Sequence, residues 1–503
     1  MQNKDVQHFF KQNIFASLTQ IFIFLFLLLF NILLARILGP NDFGIFIVVF
    51  SMALTVGMFA DTGMNNLIMK FFGRLVRQKD ARAPFYFRHL VKIKLVMVIS
   101  LFLILFFSSD FLAVYLLHDA SLGILFKVAS FIAVAYSFFL FFDSFFASLN
   151  RYEYSLLANF MNNILRLILP VAILLLGFGV LEALYGILAA FLFSVIIIYF
   201  YFLKLFRRAL THKTEKTFGL RHFDKFLLYS AGIGILITGY NNLDTFILSF
   251  FRSPSEVSFY RTALSIATYT MALLPISGKF LFSAFVELQE KSKEFMKKAF
   301  NKTLRYAVIL GVPAIFGVYL LSSQIVVLFY SYEYLPAAPA LEVLSPLILI
   351  VLIEILTLNV LMITKRLKRA LIVPAAALAY SIIGNIVLIP VFGYMAAAFN
   401  ALVFHLISML LGLYFCRDII EIRMDWGNFF KSVFSSLVMG LFIYSMLSQI
   451  HNLVTAGLVV IVAMLVYLAI QVAVGGINKT DIELLKRAVP CPLWNPIQKV
   501  CRD

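Results

Sequence analysis

Apolar runs of transmembrane length recur about fourteen times along this chain, and the loops between them are basic at every second turn. A helix needs ~20 apolar residues to cross the ~30 Å hydrocarbon layer. Inside lipid each backbone N–H and C=O must be bonded within its own segment, so such runs are helices. The runs fall at roughly 14–35, 43–66, 94–117, 122–149, 155–177, 181–203, 226–250, 257–282, 306–329, 340–363, 371–391, 394–415, 429–450 and 454–475. Apolar residues make up 62% of the chain and charged residues 13%, below the charged share of a soluble domain of this size.

The basic residues set the orientation. They cluster from Lys70 to Lys92, from Lys204 to Lys225, from Lys291 to Arg305, at Lys365, Arg366, Lys368 and Arg369, and in the two ends of the chain. The intervening loops hold almost none; Arg36 and Arg252 are the exceptions. Basic loops mark the cytoplasmic side, so the chain is expected in the cytoplasmic membrane, multi-pass, with both termini inside. The net charge of +17 is then a topology signal. No basic run is interleaved with aromatics on a soluble domain, so nucleic acid is not an expected partner.

Several chemistries lack their residues. There is no G-x-x-x-x-G-K-[ST]; Gly278-Lys279 is followed by Phe280. Gly232-x-Gly234 reads as close helix packing. The stretch around Ser108 to Ser121 offers only Asp110, His118 and Asp119, less than a glycosyltransferase or polymerase needs. Cys416, Cys491 and Cys501 lie on the expected cytoplasmic side, where thiols stay reduced, and the last two lack zinc-site spacing. Asn301-Lys302-Thr303 and Asn478-Lys479-Thr480 match the glycan acceptor pattern but fall inside. The first run is long enough to span and has no small-residue cleavage site, so no cleavable signal peptide is expected. Neither an enzyme nor a cofactor protein is indicated.

The chain repeats itself weakly. A shift of 214 residues puts Pro40 on Pro254, Asp42 on Glu256, Gly44 on Ser258, Phe46 on Tyr260 and Ser51 on Ser265. Each copy is a turn between the first two spans of a six-span unit. Six is even, so the units are parallel repeats about an axis along the membrane normal, with a cavity between them. The expected fold is an all-α polytopic membrane protein of about fourteen transmembrane helices. It divides into an N-lobe with its tether (1–225), a C-lobe (226–415), and two C-terminal helices with a tail (416–503).

Polar stripes inside the spans mark a candidate site, because buried polar groups in lipid face a cavity or one another. Asn159, Asn162, Asn163 and Arg166 fall within one 100° stripe of the fifth span. Arg261, Ser265, Thr268, Pro275 and Lys279 share a face of the eighth; Arg261 and Lys279 are five turns apart, about 27 Å. Asn13, Ser17, Gln20 and Asn31 align on the first span, Thr238, Asn241, Asn242 and Thr245 on the seventh, and Pro374, Ser381 and Asn385 on the eleventh. Arg166, Arg261 and Lys279 are candidates for binding an anionic headgroup, and Asn159, Asn162, Asn163 and Asn241 for sugar hydroxyls. The competing reading is interhelical hydrogen bonding and snorkelling. Asp61 and Asp244 lie deep in the spans with Asp143 and Glu354. Asp244 with Asn385, and Asp61, are candidates for a coupling Na⁺ or H⁺, or for structural ion pairs.

The run Leu34-Ala-Arg-Ile-Leu-Gly-Pro-Asn-Asp-Phe-Gly44, followed by Asp61-Thr-Gly63, resembles the N-terminal signature of Wzx-like polysaccharide flippases. Their superfamily also holds the multidrug MATE exporters and the lipid II flippase MurJ. Tyr229 to Gly234 and Asn242 to Leu248 are similar too, and Asn478 to Lys486 resembles archaeal members. The resemblance implies two six-helix lobes plus two helices. It also implies transport of a lipid-linked oligosaccharide across the cytoplasmic membrane for glycan assembly, with membrane lipid and glycan-assembly enzymes as partners. A cation-coupled exporter of the MATE type is the alternative, a membrane glycosyltransferase or polymerase a further one, and a non-transporting scaffold the last.

Overall fold

A computed structural model describes residues 3–210, 241–274 and 293–477, except 79, 81, 150, 365, 423 and 424, with 231, 234 and 239 besides; for 3–24 and scattered helix positions it describes the backbone alone. Among the described residues there are helices and no strand. The principal helices are α1 (Asn3–Phe59), α2 (Ala83–Phe107), α3 (Gly123–Ser148), α4 (Tyr152–Leu175), α5 (Val180–Leu210), α6 (Leu243–Phe251) and α7 (Pro254–Leu273). They continue with α8 (Lys293–Leu320), α9 (Ser322–Phe329), α10 (Ala337–Leu344), α11 (Leu347–Ile363), α12 (Leu367–Cys416), α13 (Trp426–Met446) and α14 (Leu453–Ala473). Nine helices among the described residues are long and apolar enough to cross a membrane, or ten if α10 and α11, bent by 41°, form one span. The chain is a multi-pass membrane protein. Fourteen spans remain an expectation, since 211–230 and 275–292 lie outside the described residues.

Two of the long helices are each two limbs. α1 breaks at Gly39 (φ 73°, ψ 173°), just before Pro40, between the first and second expected spans. α12 breaks at Gly393 (φ 59°, ψ −140°), after Pro390, between the eleventh and twelfth. Positive φ is open to glycine at little steric cost, and a proline ring prevents the helix from running straight through. The two stray basic residues belong to this construction. Arg252 donates to the carbonyls of Pro390 (2.7 Å) and Val391 (3.1 Å), just ahead of the Gly393 break. Arg36 donates to the carbonyls of Phe329 (2.7 Å) and Leu328, at the C-terminus of α9. Carbonyls left over at helix ends need such donors.

Some boundaries differ from the expected ones. The second span ends at Phe59 rather than near 66, because Gly63 (φ 80°) turns the chain. The third starts at Ala83, with Pro84 in the first turn, rather than at 94. The ninth is interrupted at Leu321, dividing α8 from α9.

Packing differs between the two ends of the molecule. At the end carrying Gly39 and Gly393, both halves of the chain build one core. Phe43, Phe46 and Val48 of α1 join Val257, Tyr260 and Ala263 of α7, Tyr330, Tyr334, and Ile389 and Ala396 of α12. At the end carrying the basic loops the described residues form two separate cores. One is ring-rich and holds Phe72, Phe145, Phe202 and Phe206; the other holds Phe300, Leu356, Val360 and Val373. Lipid is as apolar as these side chains, so close approach rather than water exclusion holds helices together. At the shared end a Cβ on Gly44 would stand 1.9 Å from the Pro254 carbonyl oxygen, so the two repeated turns touch backbone to backbone.

Candidate functional site

α4 carries its polar side chains on one side because Asn159, Asn163 and Arg166 sit at helical spacing, and they bond in series. Ser155 donates to Asp143, and the Asn159 amide donates to the Ser155 carbonyl (2.9 Å) and to Asp143 (3.3 Å). Asn163 donates to the Asn159 carbonyl (2.8 Å) and accepts from the Arg166 guanidinium (3.2 Å). Asn162 is turned toward α5, accepting from the Ser194 hydroxyl at 3.2 Å, and thus serves helix packing.

Arg166 is 9% exposed. Its guanidinium lies over the rings of Phe30 (5.4 Å) and Phe50 (6.0 Å) on the two limbs of α1. Ring faces attract a cation, more strongly away from water. Tyr136 and Tyr269 are within electrostatic reach. Tyr269, on α7, accepts a hydrogen bond from Asn31 of α1 (2.7 Å) and lies within reach of both Arg166 and Arg261. Arg261 makes a long contact with the Thr245 hydroxyl (3.4 Å). Among the described residues neither arginine has a carboxylate partner. Two cations, one from each half of the chain, therefore flank one tyrosine where α1, α4 and α7 meet.

Tyr269 also borders an apolar cavity of about 390 Å³, lined by Leu28, Ile266, Ile325 and Leu328 and by Ala456 and Val460 of α14. Polar and apolar halves of a site thus share one wall.

The candidate acids have partners. Asp61 forms an ion pair with Lys94 of α2 at 2.8 Å, and Lys94 also donates to Ser137 (2.6 Å) and to the Ala60 carbonyl (3.2 Å). Both side chains are fully enclosed, so the ion-pair reading of Asp61 is the one its geometry supports. Asp244 accepts from the Tyr260 hydroxyl and from the Thr245 amide (2.7 Å). Asn385 bonds Ser381 (3.1 Å) and Asn400 (2.9 Å). The described hydrogen bonds do not join Asp244 to Asn385. Asn241 is exposed, ahead of α6, and its neighbour Asn242 donates across to Thr55 of α1 at 2.9 Å. Lys279, Thr238 and Pro275 lie outside the described residues, as do the side chains of Asn13, Ser17 and Gln20.

Sequence reasoning missed Lys94, Tyr136, Tyr269 and His405. Lys94 sits at the edge of a basic loop cluster, which disguised it. The tyrosines are conspicuous only through what tertiary packing places beside them.

Residues 9–289 match the family described as polysaccharide biosynthesis protein. The chain belongs to this family. A family relative, the probable low-salt glycan biosynthesis flippase Agl15 of Haloferax volcanii, is 23% identical over 50% of this chain and 54% of its own length. An uncharacterized membrane protein of Methanocaldococcus jannaschii is 26% identical over 37% of each. The matches thus span about half or less of these curated relatives. Among solved structures, lipid II flippase MurJ in an inward closed conformation superposes with a TM-score of 0.74 at 16% identity, covering 92% of this chain and 98% of that one. An inward-facing multidrug resistance MATE family transporter of the MOP superfamily gives 0.64 at 16% identity, over 80% and 97%. At such identity the likeness shows a shared fold. The named relatives are flippases and transporters, not enzymes.

Proposed function

We propose that this protein flips a lipid-linked oligosaccharide across the cytoplasmic membrane by alternating access, for cell-surface glycan assembly. One observation carries the reading: two arginines without carboxylate partners among the described residues lie within electrostatic reach of Tyr269, which also borders an apolar cavity. A lipid-linked sugar has an anionic phosphate joined to a long apolar tail. A phosphate bridging Arg166 and Arg261 would replace weak ring and hydroxyl contacts with charge-assisted hydrogen bonds. The tail has the apolar cavity beside it. The amides of Asn159 and Asn163 continue the polar wall for sugar hydroxyls, while Asn162 is committed to α5.

The packing supports alternating access. Both halves share one core at one end, and among the described residues the cores at the basic end are separate, an arrangement suited to halves that part there. The tether at Lys204 to Lys225 and the coupling ion, Na⁺ or H⁺, belong to this proposal. So do glycan-assembly enzymes as partners. The MATE reading is weaker here because Asp61 is already neutralised by Lys94 and so offers no free acid to a cationic drug.

Arg166 provides the test. A lone guanidinium in a membrane protein costs several kcal/mol unless something meets it. In a lipid-linked oligosaccharide flipping assay with reconstituted protein, Arg166→Ala should abolish transport with normal membrane levels, and Arg166→Lys should retain part of it. Arg166→Gln keeps polarity and drops charge. Transport by the Gln variant at the wild-type rate would sink the cationic site and leave Arg166 a packing residue.

A further inference from the structure

The C-terminal half contains a second titratable cluster, away from the arginines. Glu354 of α11 and His405 of the second limb of α12 meet inside the membrane-spanning region, with His405 Nδ1 2.7 Å from Glu354 Oε2. Their side chains are 18% (His405) and 11% (Glu354) exposed, so neither is fully enclosed. The Asp61–Lys94 pair differs on this point, being enclosed. The helices carrying them are held at close range on one polar strip. A Cβ on Gly412 would stand 2.3 Å from the Thr357 hydroxyl, and Thr357 lies one turn beyond Glu354. Ser408, one turn beyond His405, has a buried hydroxyl without a hydrogen-bond partner among the described residues.

Other charged or titratable groups stand on the packed elements. Tyr306 of α8 packs beside Leu349 and Leu352. Arg261 and Tyr269 of α7 belong to the cationic site. Arg369 pairs with Asp418 at 3.1 Å, Tyr380 bonds Asn400 at 3.2 Å, and the Cys416 thiol faces the Thr357 carbonyl at 3.4 Å.

We infer that Glu354 and His405 together form the proton-binding site that couples transport to a proton gradient. The inference rests on the transport reading and assigns its driving ion to residues. The pair holds one exchangeable proton. With it, the pair is an imidazolium–carboxylate or its neutral tautomer, and the net charge is zero. Release leaves neutral imidazole beside carboxylate, a net charge of −1. Proton release thus changes the net charge at the α11–α12 contact by one unit. Both helices pack on α7, which carries Arg261, so a shift between them reaches the cationic site. Each cycle binds one proton from one side of the membrane and releases it to the other. Histidine is the side chain suited to exchange between about pH 5 and 8.

Two measurements test this. In protein labelled with ¹⁵N-histidine and held in lipid, the imidazole signal that disappears in His405→Gln, one of seven histidines, should change with pH and have its midpoint moved in Glu354→Gln. This needs no cargo, so it stands whether or not the flippase reading survives. In the flipping assay an imposed pH gradient should accelerate wild type several-fold, and neither Glu354→Gln nor His405→Gln should respond, while His405→Asn checks that loss is not local to one replacement. An imidazole that ignores Glu354, or variants that keep the wild-type pH response, would overturn the inference. So would an imidazole signal moved by Na⁺ at constant pH, which would make this a metal-cation site instead. If wild type flips no lipid-linked oligosaccharide, the cargo reading fails, and the resonance still decides the proton site.

Discussion

Lys94 carries the plainest energetic consequence among single residues. It is buried at 0% exposure with Asp61 at 3%. Breaking a buried ion pair by removing one partner typically costs about 3–5 kcal/mol, because the other charge is stranded. Lys94→Met should therefore lower the melting temperature in detergent sharply. Lys94→Met with Asp61→Leu should recover most of the loss, since an apolar pair of similar volume leaves no charge behind. A double variant as unstable as the single one would show that the pair does more than neutralise itself. Asp61 stood out in the sequence as an acid in an apolar run. Its partner did not, because a lysine next to a basic loop ordinarily reads as the cytoplasmic end of a span. The helix in fact starts about three turns earlier, at Ala83, which carries Lys94 inward. Arg166 was legible for the opposite reason: its amide neighbours recur at helical spacing, which the sequence displays directly. Its ring partners Phe30 and Phe50 come from a different helix and leave no trace in the spacing.

Among the elements, the joint between α1 and α7 is the most exacting. Gly44 and Pro254 touch backbone to backbone, and a side chain at Gly44 has nowhere to go. Gly44→Val should separate the two turns, lower detergent stability, and expose a reporter cysteine placed at Ser258, which is fully buried in the native packing. Gly317→Val on α8 is the control, because a Cβ there meets nothing within 4 Å. Equal labelling of Ser258→Cys in both backgrounds would refute the close-contact account. The weak internal repeat had aligned Pro40 with Pro254 and marked these turns, and the structure adds that one copy packs on the other. Breaks inside long apolar runs were less legible. The bend between α10 and α11 falls at Ser345-Pro346, where a proline gives notice, but the interruption at Leu321 has no local punctuation. Tertiary packing, not propensity, decides it.

For the whole molecule, hydropathy and loop charge were enough to place the class and most span positions, since lipid leaves the backbone few alternatives. The relation between halves was not available from one sequence beyond the repeat. Orientation is testable by reporter fusions: after Lys216, after Lys368 and at the C-terminus they should report cytoplasm, and at Ser253 and Leu335 the outside. Lys216 and Ser253 on the same side would break the parallel-repeat arrangement. Motion between halves is testable at the hydrogen bond from Asn242 to Thr55. Cysteines at both positions should form a disulfide under mild oxidation, and the locked protein should stop flipping until reductant is added. Undiminished transport by fully cross-linked protein would rule out a cycle in which these two positions part.

The shared core also imposes an order on biosynthesis. Phe43 leaves the ribosome early, but its ring contact with Tyr334, at 6.3 Å, waits for most of the chain. At ribosomal speeds of 5–20 residues per second that delay is about 15–60 s. Throughout it the nascent N-terminal helices sit in the bilayer with the surface around Gly44 uncovered. A surface that pairs so closely with a late partner is a target for whatever else is small and apolar nearby. Slowing translation after residue 210 should therefore raise the fraction of newborn chains handed to membrane quality control, even though every mature contact is unchanged.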